Sequence, residues 1–182
     1  MSDEVISELN SFRRKMFALK FIGVNDENIG YGNMSIRLKE NTFIVTGTMT
    51  GKIAELTNEH YTTVTEYDVA QNSLTAVGPI VASSESLTHA VIYECDSSVN
   101  AIIHIHDLEL WEKELNKIPT TGASTEYGTP AMAFEIIRMF RETDLATQKV
   151  LAMAGHEEGI IVFGKDLGEA EGRLMTLLKA TI

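Results

Sequence analysis

The chain has 182 residues, a net charge of −11 and 44% hydrophobic residues. A chain of this length and composition can bury a sizeable core, and we predict a single domain over residues 1–182. The acidic excess argues against nucleic acid and anionic membrane surfaces as partners, because both require clustered Lys and Arg. A small anionic substrate is still allowed, because backbone N–H groups can bind one phosphate inside an acidic protein.

The single cysteine, Cys95, leaves no intrachain disulfide, which fits a reducing cytoplasm. Its neighbours indicate a helix, and we expect a buried, inert thiol. The acidic start of the chain, residues 1–4, does not match a signal peptide. No apolar run approaches the length of a membrane span. These features predict a cytoplasmic protein.

An amphipathic helix is predicted at the N-terminus, where apolar residues recur at spacings of three and four: Val5, Leu9, Phe12, Met16 and Leu19. Ser2 or Asp3 is its expected cap. A polar, glycine-containing loop at residues 23–32 follows. Strands are then predicted at residues 34–38, 42–46, 61–67 and 73–76.

The second half of the chain alternates between the two types of element. Helices are predicted at residues 83–93, 108–115, 130–140 and 166–180, and strands at residues 99–106, 149–153 and 159–163. This interleaving indicates an α/β fold. The β-rich stretch at residues 34–76 indicates that the sheet is not purely parallel.

Three histidines form the clearest chemical pattern in the sequence. His104 and His106 end an apolar strand and project from the same face, because residues i and i+2 of a strand do so. His156 lies in a glycine-flanked turn between two later strands. Three neutral imidazoles around a divalent ion build a catalytic zinc site with an open position. The alternatives are ordinary core or surface histidines and, for His156, a turn histidine bonded to backbone.

Two serines and a glutamate open the predicted helix at residues 83–93. At a helix start, free backbone N–H groups and the hydroxyls of Ser83 and Ser84 suit a phosphate. The alternative is ordinary capping by Ser83, with Glu85 placed in the first turn by the helix dipole. His89 follows Glu85 by four residues on the same helix face. It would either support the metal site without binding the ion or be a buried helix histidine, and we expect the supporting role.

Two glycine-rich segments fail as nucleotide-binding motifs. Residues 30–32 lack the third glycine of a dinucleotide loop and precede a strand instead of a helix. Residues 47–52 are one residue short of a phosphate loop, and Ile53 stands where Ser or Thr would bind magnesium.

Six segments, taken in order, resemble the motifs of the class II aldolase/adducin family. They are residues 32–37, 43–48, 83–93, 101–106, 127–129 and 155–159. The resemblance implies a three-layer α/β/α fold with a largely antiparallel central sheet. It also implies a homotetramer with cyclic symmetry and active sites near the subunit interfaces.

The resemblance also assigns roles to individual residues. It implies that His104, His106 and His156 bind a divalent metal, with Zn²⁺ expected first and Mn²⁺, Co²⁺ or Fe²⁺ as alternatives. Glu85 would be the catalytic acid/base, with its pKa raised towards neutrality by burial. Five residues would hold a substrate phosphate: Asn33, Gly47, Thr48, Ser83 and Ser84. Thr50 and Gly51 could fill the same role as Gly47 and Thr48.

The implied activity is that of a metal-dependent aldolase, a carbon–carbon lyase. Its substrate would be a small phosphorylated keto sugar or sugar acid, cleaved through a metal-stabilised enediolate. The alternatives are an epimerase or dehydratase on the same metal site, or a non-catalytic assembly module like adducin. The stretch between His106 and Tyr127 is shorter than in sugar-phosphate aldolases, which carry there a tyrosine that serves a neighbouring subunit. Trp111 and Tyr127 are the candidates to replace it.

Overall fold

The computed structural model of the protein describes residues 3–180. Its helices are α1 (Asp3–Ala18), α2 (Ser86–Cys95), α3 (Leu108–Glu114), α4 (Pro130–Glu142), α5 (Leu145–Gln148) and α6 (Leu167–Ala180). Its strands are β1 (Gly23–Val24), β2 (Gly30–Tyr31), β3 (Asn33–Lys39), β4 (Thr42–Thr46), β5 (Tyr61–Asp68), β6 (Ser73–Val77), β7 (Ala101–His106), β8 (Val150–Ala152) and β9 (Gly159–Gly164). None of the helices within residues 3–180 is long and apolar enough to cross a membrane.

Seven strands form one sheet in the order β6-β5-β4-β3-β7-β9-β8. Every neighbouring pair in it is antiparallel, which confirms the predicted largely antiparallel sheet. Strands β1 and β2 form a separate two-stranded ribbon. Because β3 and β7 lie side by side near the middle of the sheet, polar side chains on them are shielded from solvent.

Helices cover both faces of the sheet. Phe43 and Val45 of β4 belong to the apolar core that contains α2 and α4. Ile44, between them, belongs to the core that contains α1 and α6. This alternation is what a strand buried on both faces requires, because successive side chains point to opposite faces. The predicted three-layer α/β/α architecture is therefore confirmed.

The structure departs from the sequence pattern at short elements and at helix ends. Helix α2 begins at Ser86, three residues later than predicted, so residues 83–85 lie in the turn before it. The elements β1, β2 and α5 were not predicted, because two to four residues show no measurable period. The prediction of a buried Cys95 is wrong, since this last residue of α2 is exposed. Ser2, one of the two predicted caps of α1, lies outside the described residues.

One arginine joins the central strand to the end of α2. The guanidinium of Arg37 donates to the carbonyl oxygens of Tyr93 at 2.5 Å, Asp96 at 2.8 Å, Val99 at 2.8 Å and Glu40 at 3.1 Å. Two of these carbonyls lie at the C-terminal end of α2, where the helix dipole favours a positive charge. Arg37 therefore fixes the position of α2 along β3.

We predict that Arg37→Ala lowers the free energy of unfolding by about 2–4 kcal/mol, because several partly buried carbonyls lose a charged donor. The measurement is urea unfolding followed by circular dichroism. Arg138→Ala is the matched control, because Arg138 is an exposed arginine whose ion pairs within residues 3–180 are with Glu135 and Glu142. A loss for Arg37→Ala no larger than that of the control would contradict the prediction.

Candidate active site

Strand β3 and the segment that forms helix α2 are joined by hydrogen bonds from polar side chains of the strand. Two residues of a strand span about 6.7 Å and four residues of a helix span about 6 Å, so these two distances are nearly equal. Alternate residues of β3 therefore meet every fourth residue of the α2 segment: Asn33 with Glu85, Ser35 with His89, and Arg37 with Tyr93. We call these six residues the polar seam.

One hydroxyl joins the residues in the middle of the polar seam. Ser35 Oγ lies 2.7 Å from His89 Nδ1 and 2.7 Å from Tyr93 Oη. Burial lowers the pKa of His89 to about 3, so its ring is neutral at pH 7. His89 lies in the same row as Glu85 and is not part of the cluster of His104, His106 and His156, and its supporting role stays a prediction.

Glu85 stands at the end of the polar seam, immediately before α2. Its carboxylate Oε2 accepts a hydrogen bond from Asn33 Nδ2 at 2.7 Å and lies 2.5 Å from His104 Nδ1. Its Oε1 lies 3.8 Å from His156 Nε2. Glu85 is 4% exposed. The carboxylate is thus fixed at one oxygen and faces a second histidine with the other.

The sheet brings the three predicted metal ligands together. Strand β7 places His104 and His106 on one face, and its pairing with β9 sets His106 opposite Gly159. The turn before β9 carries His156, whose Nε2 lies 3.0 Å from His106 Nε2. One nitrogen from each of the three rings lies within 4.8 Å of the others. Residues 50 positions apart in the chain thus converge through a single strand pairing.

The protonation state of these imidazoles suits metal binding. Burial, followed by the neighbouring His104, lowers the pKa of His106 to about 2 and that of His156 to about 4. Both rings are therefore neutral at pH 7, and a neutral imidazole is the form that binds a metal. His106 Nδ1 also lies 3.6 Å from a carboxylate oxygen of Glu158, the kind of outer contact that orients a metal-binding histidine.

The electrostatics of Glu85 differ from the sequence prediction. Burial alone raises the pKa of its carboxyl group, but His104, His156 and the hydrogen bond from Asn33 outweigh it and lower the pKa to about 2. The predicted pKa near neutrality is therefore wrong. Glu85 is a carboxylate at pH 7, ready to accept a proton, and it can act as an acid only after it has taken one.

Buried polar atoms without partners show that the three-histidine cluster fits a divalent metal. Among the described residues, Glu85 Oε1, His104 Nε2 and Asn33 Oδ1 are buried and have no hydrogen-bond partner. Such atoms are costly unless a ligand, an ion or water satisfies them. A Cβ added at Gly159 would lie 2.9 Å from the His156 ring and 3.3 Å from His104 Nε2, so glycine keeps space beside the rings.

A cleft of about 400 Å³ opens over this cluster. The five predicted phosphate-binding residues all line it: Asn33, Gly47, Thr48, Ser83 and Ser84. Glu85, His106 and His156 line it as well, whereas His104 is fully buried beneath. The structure therefore brings all nine predicted site residues together around one cavity.

The backbone of the loop at residues 47–51, which we call the anion loop, divides into two halves. The N–H groups of Gly47 and Thr48 donate to the carbonyls of His60 and Val81. In the described part of the chain, the N–H groups of Met49, Thr50 and Gly51 have no backbone acceptor. The free N–H donors therefore belong to the second half of the loop. This favours Thr50 and Gly51, the predicted alternative to Gly47 and Thr48, as the pair that would bind the phosphate.

Two tyrosines flank the histidines, although the sequence assigned neither of them a firm role. Tyr31, from the ribbon, stacks on His106 with a ring-centroid distance of 5.1 Å. Tyr127 lies against His156 with a centroid distance of 4.1 Å and is 43% exposed. Both line the cleft, and the only sequence signal for Tyr31 was its place between two glycines, directly before the first family segment. Trp111 donates to Met153 O instead, away from the cleft lining.

Comparisons with solved structures agree with this fold. YgbL from Klebsiella pneumoniae, described as a candidate aldolase/epimerase/decarboxylase, has a TM-score of 0.72 and 17% identity, covering 98% of this chain and 86% of that one. L-fuculose-1-phosphate aldolase from Thermus thermophilus has a TM-score of 0.70 and 21% identity, with coverages of 99% and 92%. A sugar-phosphate aldolase from Thermotoga maritima has a TM-score of 0.72 and 17% identity, with coverages of 98% and 92%. At these identities the likeness shows a shared fold.

The sequence comparisons identify the family. No curated protein matches the sequence. The family model described as "Class II Aldolase and Adducin N-terminal domain" matches residues 27–181. This range includes the polar seam and the three clustered histidines, His104, His106 and His156. The resemblance of the six segments is thereby confirmed, and the chain belongs to the class II aldolase and adducin N-terminal domain family.

Proposed function

We propose that the protein is a divalent-metal-dependent carbon–carbon lyase that acts on a small phosphorylated keto sugar or sugar acid. The observation that carries this proposal is the position of Glu85. Its carboxylate lies 2.5 Å from His104 and lines the same cleft as Ser83 and Ser84. If the histidines bind a metal and the serines bind a phosphate, Glu85 is within reach of a substrate carbon held by both, which supports its role as the base.

Glu85 would move the proton in this reaction. Asn33 Nδ2 holds its Oε2 at 2.7 Å, which fixes the plane of the carboxylate. Its Oε1 is the atom left to take a proton from a substrate hydroxyl or carbon and to return it. Because the carboxylate is buried, water does not compete for that proton.

The imidazoles of His104, His106 and His156 would hold the metal. When bound, the cation supplies Lewis-acid polarisation of a substrate carbonyl oxygen. Three imidazole ligands suit Zn²⁺ best, while Mn²⁺, Co²⁺ and Fe²⁺ also accept imidazole. Tyr31 stacks on His106 and Tyr127 packs against His156, and both contacts limit the rotation of these rings.

The opposite side of the cleft would hold the phosphate group. The hydroxyls of Ser83, Ser84 and Thr48 would be donors there, and Asn33, whose amide also binds the Glu85 carboxylate, lines the same cleft. Fixing the phosphate at one end of a short substrate sets its reacting carbons at a constant distance from Glu85. The homotetramer and the cytoplasmic location expected from the sequence remain predictions.

We predict that Glu85→Gln keeps the bound metal and lowers turnover by at least about 100-fold, because an amide of the same shape cannot accept the proton. Turnover is measured as aldehyde release from a panel of keto-sugar and sugar-acid phosphates. Metal content is measured by elemental analysis of the same samples. Turnover equal to that of the wild type would remove Glu85 from the mechanism.

We predict that His104→Ala loses most of the bound metal, because two imidazoles remain where three converge. The metal content of the purified, zinc-loaded protein is measured by elemental analysis. His60→Ala is the control, since His60 contacts Thr57 outside the cleft lining and should leave the metal content unchanged. Full retention of metal by His104→Ala would refute the ligand assignment.

A third result would change the class of function. A wild-type protein that binds metal but releases no aldehyde, and instead inverts or dehydrates the same substrates, would be an epimerase or dehydratase on this site. A wild-type protein that takes up no divalent metal would favour the assembly module.

A further inference from the structure

Helix α1 carries an arginine on its buried face. Ile6, Leu9, Arg13 and Met16 follow one another at spacings of three and four and are the buried residues of the helix. Arg13 is 1% exposed and has no ion pair with a carboxylate in the described range, residues 3–180. Glu55 acts on it only at longer range, and burial lowers its pKa without removing the charge.

The guanidinium of Arg13 contacts the anion loop from behind. It donates to Thr50 O at 2.9 Å and to Ala54 O at 3.1 Å. In a trans peptide the C=O and N–H groups point in opposite directions. The contact at Thr50 therefore turns the N–H of Gly51 away from Arg13, and Gly51 lines the cleft.

The other contacts of the loop keep it in this position. Thr50 Oγ1 donates to Gly47 O at 2.9 Å, which closes the loop on itself. Gly51 packs against the ribbon so closely that an added Cβ would lie 2.0 Å from Gly23 O. The anion loop is thus fixed between a buried arginine on one side and the ribbon on the other.

The Arg13 guanidinium is a positive charge beside a cleft whose lining is acidic. Among the described residues that line the cleft, none is Lys or Arg, and three are glutamates: Glu85, Glu157 and Glu158. An anionic group entering this cleft meets negative potential from its lining. A buried, weakly screened cation behind the loop offsets that potential more effectively than an exposed one.

We propose that Arg13 is a positioning and specificity residue for the anionic group of the substrate, acting through the anion loop. The inference rests on the proposed function, which places a phosphate in this cleft. Arg13 orients the Gly51 N–H through the carbonyl of Thr50 and supplies positive potential behind the loop. This makes the site selective for a doubly charged group over a singly charged or neutral one.

The test is the affinity of inorganic phosphate, measured by calorimetric titration of wild type, Arg13→Met, Arg13→Lys and Arg14→Met. Titrations are made at about pH 8 and about pH 6, where phosphate is mostly dianion and mostly monoanion, respectively. Arg14→Met is the matched control, because Arg14 is the next residue of the same helix but is exposed and pairs with Glu55 at 3.5 Å. Titration of both metal-loaded and metal-stripped protein separates the loop from phosphate bound to the metal.

We expect Arg13→Met to weaken phosphate binding by at least about tenfold at the higher pH and by less at the lower pH. Arg13→Lys keeps the charge and should retain the preference for the dianion, and Arg14→Met should match the wild type. An Arg13→Met affinity equal to that of the wild type would overturn the inference and leave the proposed function standing. An equal loss of phosphate affinity at both pH values, in Arg13→Lys as well as in Arg13→Met, would also overturn the inference, because a purely structural role gives that result.

Two further outcomes are decisive. If Arg13→Met does not fold, Arg13→Lys decides: a retained dianion preference supports the inference, and its loss overturns it. If the wild type binds no phosphate in either form, the phosphorylated substrate of the proposed function is refuted, and the inference fails with it.

Discussion

The architecture of the site depends on the match between two repeats, that of strand β3 and that of helix α2. Because two strand residues and four helix residues advance by nearly the same distance, polar partners can recur along the contact without leaving a gap. Arg37 fixes one end of this row on the carbonyls that end α2. Glu85 emerges at the other end, where the row meets the cleft. A shift of α2 by one residue would turn its polar side chains away from β3 and leave several of them buried and unpaired, which is costly.

Strand β3 also connects the polar seam to the three-histidine cluster. Asn33 lies directly opposite His104 in the β3–β7 pair, and His106 lies opposite Gly159 in the β7–β9 pair. Two neighbouring ladders thus bring the carboxylate, its amide partner and three imidazoles to one end of the sheet. His104, His156 and Asn33 lower the pKa of Glu85 and keep it an anion, whereas burial lowers the pKa of His106 and His156 and keeps these two rings neutral at pH 7.

Some parts of this arrangement could be predicted from the sequence, because a repeat of apolar residues or a fixed spacing of histidines marks them. Alternating apolar residues located the main strands, and the His104–His106 spacing located the candidate metal ligands, because both are properties of a single extended strand. The start of α2 and the ribbon were missed, since their few residues carry no period. The pKa of Glu85 was predicted in the wrong direction, because burial was visible in the pattern but the approach of His104 and Asn33 was not. Arg13 did carry a signal, an arginine among apolar residues at helical spacing, but its contact with the anion loop is tertiary.

The position of Arg13 behind the loop also explains how a strongly acidic chain can select an anion. An arginine or lysine within the cleft would be drawn to Glu85, Glu157 or Glu158, and an ion pair with Glu85 would weaken it as a base. A guanidinium held by the carbonyls of Thr50 and Ala54 is separated from those carboxylates by the loop itself. Its field still reaches the cleft through the protein, where salt screens it little. Placing the cation behind the backbone therefore separates recognition of the anion from the chemistry of the carboxylate, although both take place in one cavity.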